Sequence, residues 1–168
     1  MSHSTTWEEY AAGTCETSLV FLMNGNRYLK HNSNDNTLEM VDSKENATSF
    51  YIMKRCSPAD QRLRYYLVHD DNSDIIDEYK FLGTPQKGKQ ITMVLCSSKE
   101  NSNFHIKYDF NDEDELDSVS FITMSGHSIY AFDNYGDGRV VWWYTETIQG
   151  WGVEVQTKPN QKFKVVYQ

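Results

Sequence analysis

An all-β fold is expected from three features of this 168-residue chain. Short runs of alternating apolar and polar residues recur between clusters of Gly, Asn, Asp and Ser at the spacing of about 8–12 residues typical of sandwiches and barrels. No long window carries the 3.6-residue periodicity of an amphipathic helix. A Phe-x-Ile/Val step also occurs three times, at Phe50-Tyr51-Ile52, Phe104-His105-Ile106 and Phe163-Lys164-Val165, with intervals of 54 (50 to 104) and 59 (104 to 163) residues. A strand motif repeated this way points to pseudo-threefold construction, and the small fold built so is the β-trefoil, a barrel of about twelve short antiparallel strands with a hairpin cap. Phe-x-Ile is common in any half-buried strand, so sandwich and lipocalin-like barrels stay open as alternatives.

The elements follow in order. Residues 1–18 read as an N-terminal arm that Trp7 and Tyr10 could pin to a single domain spanning 19–168. In the first block strands are expected at Leu19–Met23, Arg27–His31, Thr37–Val41 and Ser49–Lys54. Asn24-Gly25-Asn26 is a hairpin signal between the first two, because Asn and Gly tolerate positive φ. The second block offers Leu63–His69, Ile76–Phe81, Ile91–Leu95 and Phe104–Tyr108. The third offers Val119–Thr123, Ser128–Phe132, Val140–Tyr144, Val153–Gln156 and Lys162–Tyr167, and Asn111 to Asp117 has room for one helical turn. Pro58, Pro85 and Pro159 all fall between these strands, where a missing N–H breaks no ladder. Tyr28 with Asn32 and Tyr130 with Asn134 form a second internal echo, which the middle block lacks.

The net charge of −8 argues against nucleic acid, heparin or an anionic membrane as the main partner. No apolar run approaches the ~18 residues of a membrane span, and Met1 to Tyr10 is too polar for a secretory signal. Cys15, Cys56 and Cys96 are odd in number and widely spaced, which suits free thiols and synthesis in a reducing cytoplasm.

Chemistry-bearing patterns are few, so an enzyme is not expected. The five histidines show no metal-ligand spacing, and no metal or cofactor is expected. Ser125-Gly126-His127-Ser128 lacks the Gly-x-Ser-x-Gly elbow and reads as a hairpin turn. Asp109 to Asp117 holds six carboxylates without the central Gly of a calcium loop. It is either a solvated loop or one that steers a basic partner. Trp142 and Trp143 are strand neighbours and point to opposite faces, so only one can enter a given core. The other marks a glycan-stacking or protein-binding surface, or is covered by the arm or by the Trp151 hairpin.

Leu19 to Arg27 with its Gly-Asn-Arg turn resembles the opening strand of the interleukin-1 cytokine family. Thr48 to Ile52, followed by Lys54, Ser57, Pro58 and Arg62, resembles that family's fourth-to-fifth strand hairpin. Asp117 to Ile122 with Gly126-His127 is similar to its ninth strand, and Phe163-Lys164-Val165 to its last. Trp142-Trp143-Tyr144, a longer final hairpin and the cysteine positions depart from the pattern. The resemblance implies a monomeric trefoil cytokine, exported without a leader, that binds an immunoglobulin-domain receptor ectodomain outside the cell and recruits a second receptor chain. It implies receptor contacts at Arg27, Lys30 and Asp35 near the first turns and at Arg55 and Arg62 on the next hairpin. Lys87, Lys89, Asp112 and Glu113 would form a second face. The alternative is an intracellular trefoil lectin or fascin-like module using Trp143, Tyr144 and Trp151. A trefoil protease inhibitor presenting Ser57–Gln61 is a third reading.

Overall fold

The computed structural model describes residues 5–6, 14–56, 63–69, 75–76, 78–82, 86–96, 104–123, 127–131, 138–148, 154–156 and 158–168, and the side chains of 18–52, 86–92, 106–123, 128–129, 138–145 and 158–168. The strands are β1 (Thr5–Thr6), β2 (Thr14–Asn24), β3 (Arg27–Asn32), β4 (Thr37–Val41), β5 (Phe50–Cys56), β6 (Leu63–His69), β7 (Ile75–Ile76) and β8 (Glu78–Leu82). They continue as β9 (Thr92–Cys96), β10 (Phe104–Phe110), β11 (Leu116–Thr123), β12 (His127–Ala131), β13 (Val140–Tyr144), β14 (Glu146–Ile148), β15 (Glu154–Gln156) and β16 (Phe163–Tyr167). Two single 3₁₀ turns, Lys44–Asn46 and Pro159–Gln161, are the only helical elements among the described residues. None is long and apolar enough to cross a membrane.

The chain is all-β, and twelve strands join in one antiparallel sheet that curls into a nearly closed barrel. An unbroken series of antiparallel pairs runs β6–β5–β2–β16–β11–β10. The long β2 makes this possible. Its first half pairs with β5, from Thr14↔Arg55 to Val20↔Phe50, and its second half pairs with β16 and β3. Strand β2 begins at Thr14, inside the stretch read as an arm, and the register shifts between Thr14 and Glu16 so that Cys15 forms a bulge. Upstream, Thr5 and Thr6 pair with Ile76 and Ile75.

Three hairpins, β3–β4, β8–β9 and β12–β13, branch from that series, joined to it through the β2–β3, β6–β8 and β11–β12 pairs. Each meets both of the others. Thr37 of β4 pairs with Thr92 of β9, Glu39 of β4 bridges Arg139 just before β13, and Gln90 just before β9 bridges Val141 of β13. Met40 N–H donates to the Gly138 carbonyl at 2.7 Å, tightening one of these junctions.

Alternation explains the core. Val20 and Leu22 on β2, Leu38 and Met40 on β4, and Phe163 and Val165 on β16 are buried while their neighbours along the strand face outward. Phe50 and Phe163, two of the three repeated phenylalanines, are fully buried and each opens a strand. Phe104 also opens a strand, β10, but its side chain lies outside the described residues. The Phe163 ring packs on Phe121 with centroids 6.1 Å apart, and Leu29, Ile129, Val140 and Trp142 belong to the same cluster.

Turn chemistry fixes the hairpins. Gly25 takes φ +60° between the paired Asn24 and Arg27, a conformation that Gly adopts at little cost. In the β3–β4 loop Asn36 is left-handed at φ 59°, and the Asp35 carboxylate accepts from both the N–H and the hydroxyl of Thr37. The acidic stretch between β10 and β11 is a turn rather than a helical segment. Asn111 Oδ1 accepts from the N–H groups of Glu113 and Glu115, and Asp114 is left-handed at φ 58°. A side-chain acceptor that satisfies turn N–H groups competes directly with helix formation.

Candidate interaction surface

The basic residues of the first turns are held by carboxylates of the same hairpin. Arg27, directly after the Gly25–Asn26 turn, places Nε 3.4 Å from Asp42 Oδ1. Lys30 sits opposite Glu39 across the β3–β4 ladder, with Nζ 3.8 Å from Oε1. Such partly exposed pairs contribute at most about 1 kcal/mol each, but they lower the local positive potential. Asp35 lies at the tip of the same hairpin, fully exposed. The Thr37 hydroxyl and N–H that it accepts from hold its carboxyl below the ordinary Asp range. Its visible role is to build the turn.

Arg55 occupies a β5 position between Thr14 and Arg64, and its side chain lies outside the described residues. Arg62, together with Ser57–Gln61, lies outside them altogether, as does Trp151. Asp112 and Glu113 are exposed on the Asn111–Glu115 turn. Nearby, Lys107 Nζ stands 3.3 Å from Asp109 Oδ1. Among the described residues no group of three or more His, Cys, Asp and Glu could hold a metal. Ser128 is buried in β12, where its hydroxyl points at the Ile129 carbonyl at 3.4 Å.

Lys87 and Lys89 belong to a better-defined arrangement. Residues 86–91 run alongside β13. Gly88 N–H donates to the Trp142 carbonyl at 2.8 Å, Trp142 N–H donates to the Lys89 carbonyl at 2.9 Å, and Lys89 N–H closes a turn on Gln86. This lattice places the Lys87 ammonium 4.4 Å from the centroid of the Trp143 ring and 5.7 Å from that of Tyr144, a cation–π geometry. The neighbour rule for the tryptophans holds. Trp142 is 2 % exposed in the core, Trp143 is partly exposed, and Tyr144 at the strand end is 52 % exposed.

The same strand end is also pinned by Gln161, which is fully buried. Its Nε2 donates to the Tyr144 carbonyl at 3.0 Å and reaches the Trp143 carbonyl at 3.5 Å, while its Oε1 accepts from Lys158 N–H. Asn24 in turn donates to the Pro159 and Lys162 carbonyls. The first hairpin, the 3₁₀ turn and the aromatic strand end are thereby tied together. Neither Gln161 nor the Lys87–Trp143 contact is foreseeable from the sequence. Adjacent tryptophans flag the strand, but nothing local marks a lysine far upstream as their partner.

No protein-family model matches this chain, and no curated protein matches it either.

Proposed function

We propose that this chain is a β-trefoil cytokine of the interleukin-1 type, nearest in character to interleukin-18. In this reading it acts outside the cell as a non-catalytic monomer, binds an immunoglobulin-domain receptor ectodomain and recruits a second receptor chain. The observation that carries it is the meeting of three hairpins at Thr37↔Thr92, Glu39↔Arg139 and Gln90↔Val141, beside five consecutive barrel pairs. A trefoil is expected to have this arrangement, with two strands of each block in the barrel and two in a cap.

A fold of this kind serves many functions, so the receptor claim needs its own support. That support is the resemblance in β2, β5, β11 and β16, together with exposed charge on hairpins and loops. Binding of the purified chain to interleukin-1-receptor-like ectodomains tests it.

The exposed Tyr144 ring beside the partly exposed Trp143 favours a second reading, a lectin-like module. Specific recognition on a glycan array, with no receptor binding, would replace the cytokine by the lectin.

A further inference from the structure

We propose that Lys87, held over Trp143 and beside Tyr144, is the contact point for a carboxylate-bearing peptide segment of a protein partner. Three cations elsewhere on the surface, Arg27, Lys30 and Lys107, each face a carboxylate of this chain. Lys87 does not. Its contacts are aromatic, and no carboxylate pairs with it among the described residues. An ammonium resting on a ring face still presents N–H donors away from the ring, and an incoming anion can take them.

The site is built before any partner arrives. Backbone bonds from Gly88 and to Lys89 lock the turn onto β13, and Gln161 holds the strand end through the Tyr144 carbonyl. Little ordering is then lost on binding, which favours affinity. Lys89 is exposed on the same turn and adds a second positive charge, while the exposed Tyr144 ring offers an apolar wall.

Two features favour an acidic peptide over a sugar. The ammonium occupies one face of the Trp143 ring, and the residue is only partly exposed, which leaves little indole open for a pyranose to stack on. The rest of a −8 molecule repels an acidic segment, so binding confined to this patch gains specificity from the surroundings. The inference deepens the receptor reading and rests on it only in taking the partner to be a protein.

The test titrates the full chain with a fluorescein-labelled peptide of alternating Glu and Leu, its Gln counterpart, and a heparin-derived oligosaccharide. Anisotropy reports affinity, and the indole N–H resonances, assigned with Trp143→Phe, report location. Saturable binding of the Glu peptide, a shift at the Trp143 indole and a weakening of about tenfold or more in Lys87→Glu are expected, with Lys44→Glu unchanged. No saturable binding, equal binding of the Gln peptide, an unshifted Trp143 resonance in the wild type, or binding of the oligosaccharide alone overturns the proposal. The indole shift is read on the wild-type chain, so the experiment decides the matter even if Lys87→Glu fails to fold. Peptide binding without any receptor binding would overturn the receptor reading instead.

Discussion

Gly138 and Met40 are in backbone contact at the junction of two hairpins. A β-carbon built on Gly138 would lie 2.5 Å from the Met40 carbonyl oxygen, and Gly138 itself is left-handed at φ +72°. Both the space and the backbone angle therefore exclude a side chain.

Gly138→Ala is expected to destabilise the protein by at least about 2 kcal/mol, from left-handed strain plus the backbone shift the clash forces. Gly25→Ala is the control, because its φ of +60° is similar but nothing lies within 4 Å of the added carbon. It should cost only about 1 kcal/mol. Urea denaturation of both variants measures the difference, and equal losses would mean the hairpin junction is loose.

Phe50→Ala and Phe163→Ala should each cost ~3–5 kcal/mol, since both rings are fully buried. Phe104→Ala should match them if the three phenylalanines are equivalent positions of a repeat. A loss below ~1 kcal/mol at Phe104 would end the threefold interpretation.

Gln161→Leu keeps roughly the same volume but strips the donors from the Tyr144 and Trp143 carbonyls and the acceptor from Lys158 N–H. A loss of about 1–3 kcal/mol is expected, the cost of leaving buried polar groups unpaired. The same variant should broaden the Trp143 indole resonance, because the strand end is no longer pinned.

Asp35 supplies a pH signature. Its carboxyl is held below the ordinary value near 3.8 by hydrogen bonds from Thr37. A depressed folded pKa stabilises the fold above the unfolded value, and that stabilisation disappears as pH falls through the folded value. Thermal unfolding of Asp35→Asn, compared with wild type from neutral pH to pH 2, should show a shallower acid-side decline. Parallel curves would mean that the Asp35 carboxylate does not stabilise that loop.

Much of the fold was legible because alternation and turn residues are local signals. Thr37–Val41, Leu63–His69 and Val140–Tyr144 were expected and observed with the same ends. Other ends moved where pairing overrides pattern. The polar Thr14 to Ser18 carries no apolar alternation, yet it extends β2 because β5 offers a ladder to it. Likewise Ile75–Ile76 forms a separate short strand against Thr5–Thr6. The candidate surface was half legible. Adjacent tryptophans guaranteed that one would leave the core, but which one depends on the register of β13 against β12 and the 86–91 segment. The placement of Lys87 on Trp143, and of Gln161 against the Trp143 and Tyr144 carbonyls, arises from long-range pairing that no short motif encodes.

The thiols test the cellular setting. Cys15, Cys56 and Cys96 should all be free, so alkylation of the denatured, unreduced protein should add three labels by intact mass. A single added label would reveal a disulfide and an oxidising compartment.

Surface plasmon resonance of the purified chain against interleukin-1-receptor-like ectodomains tests the central claim most directly. Saturable binding is predicted, with slower association and weaker salt dependence when Arg27 and Arg62 are both changed to Glu, and with the fold intact. Failure of the wild-type chain to bind any of these ectodomains would contradict it.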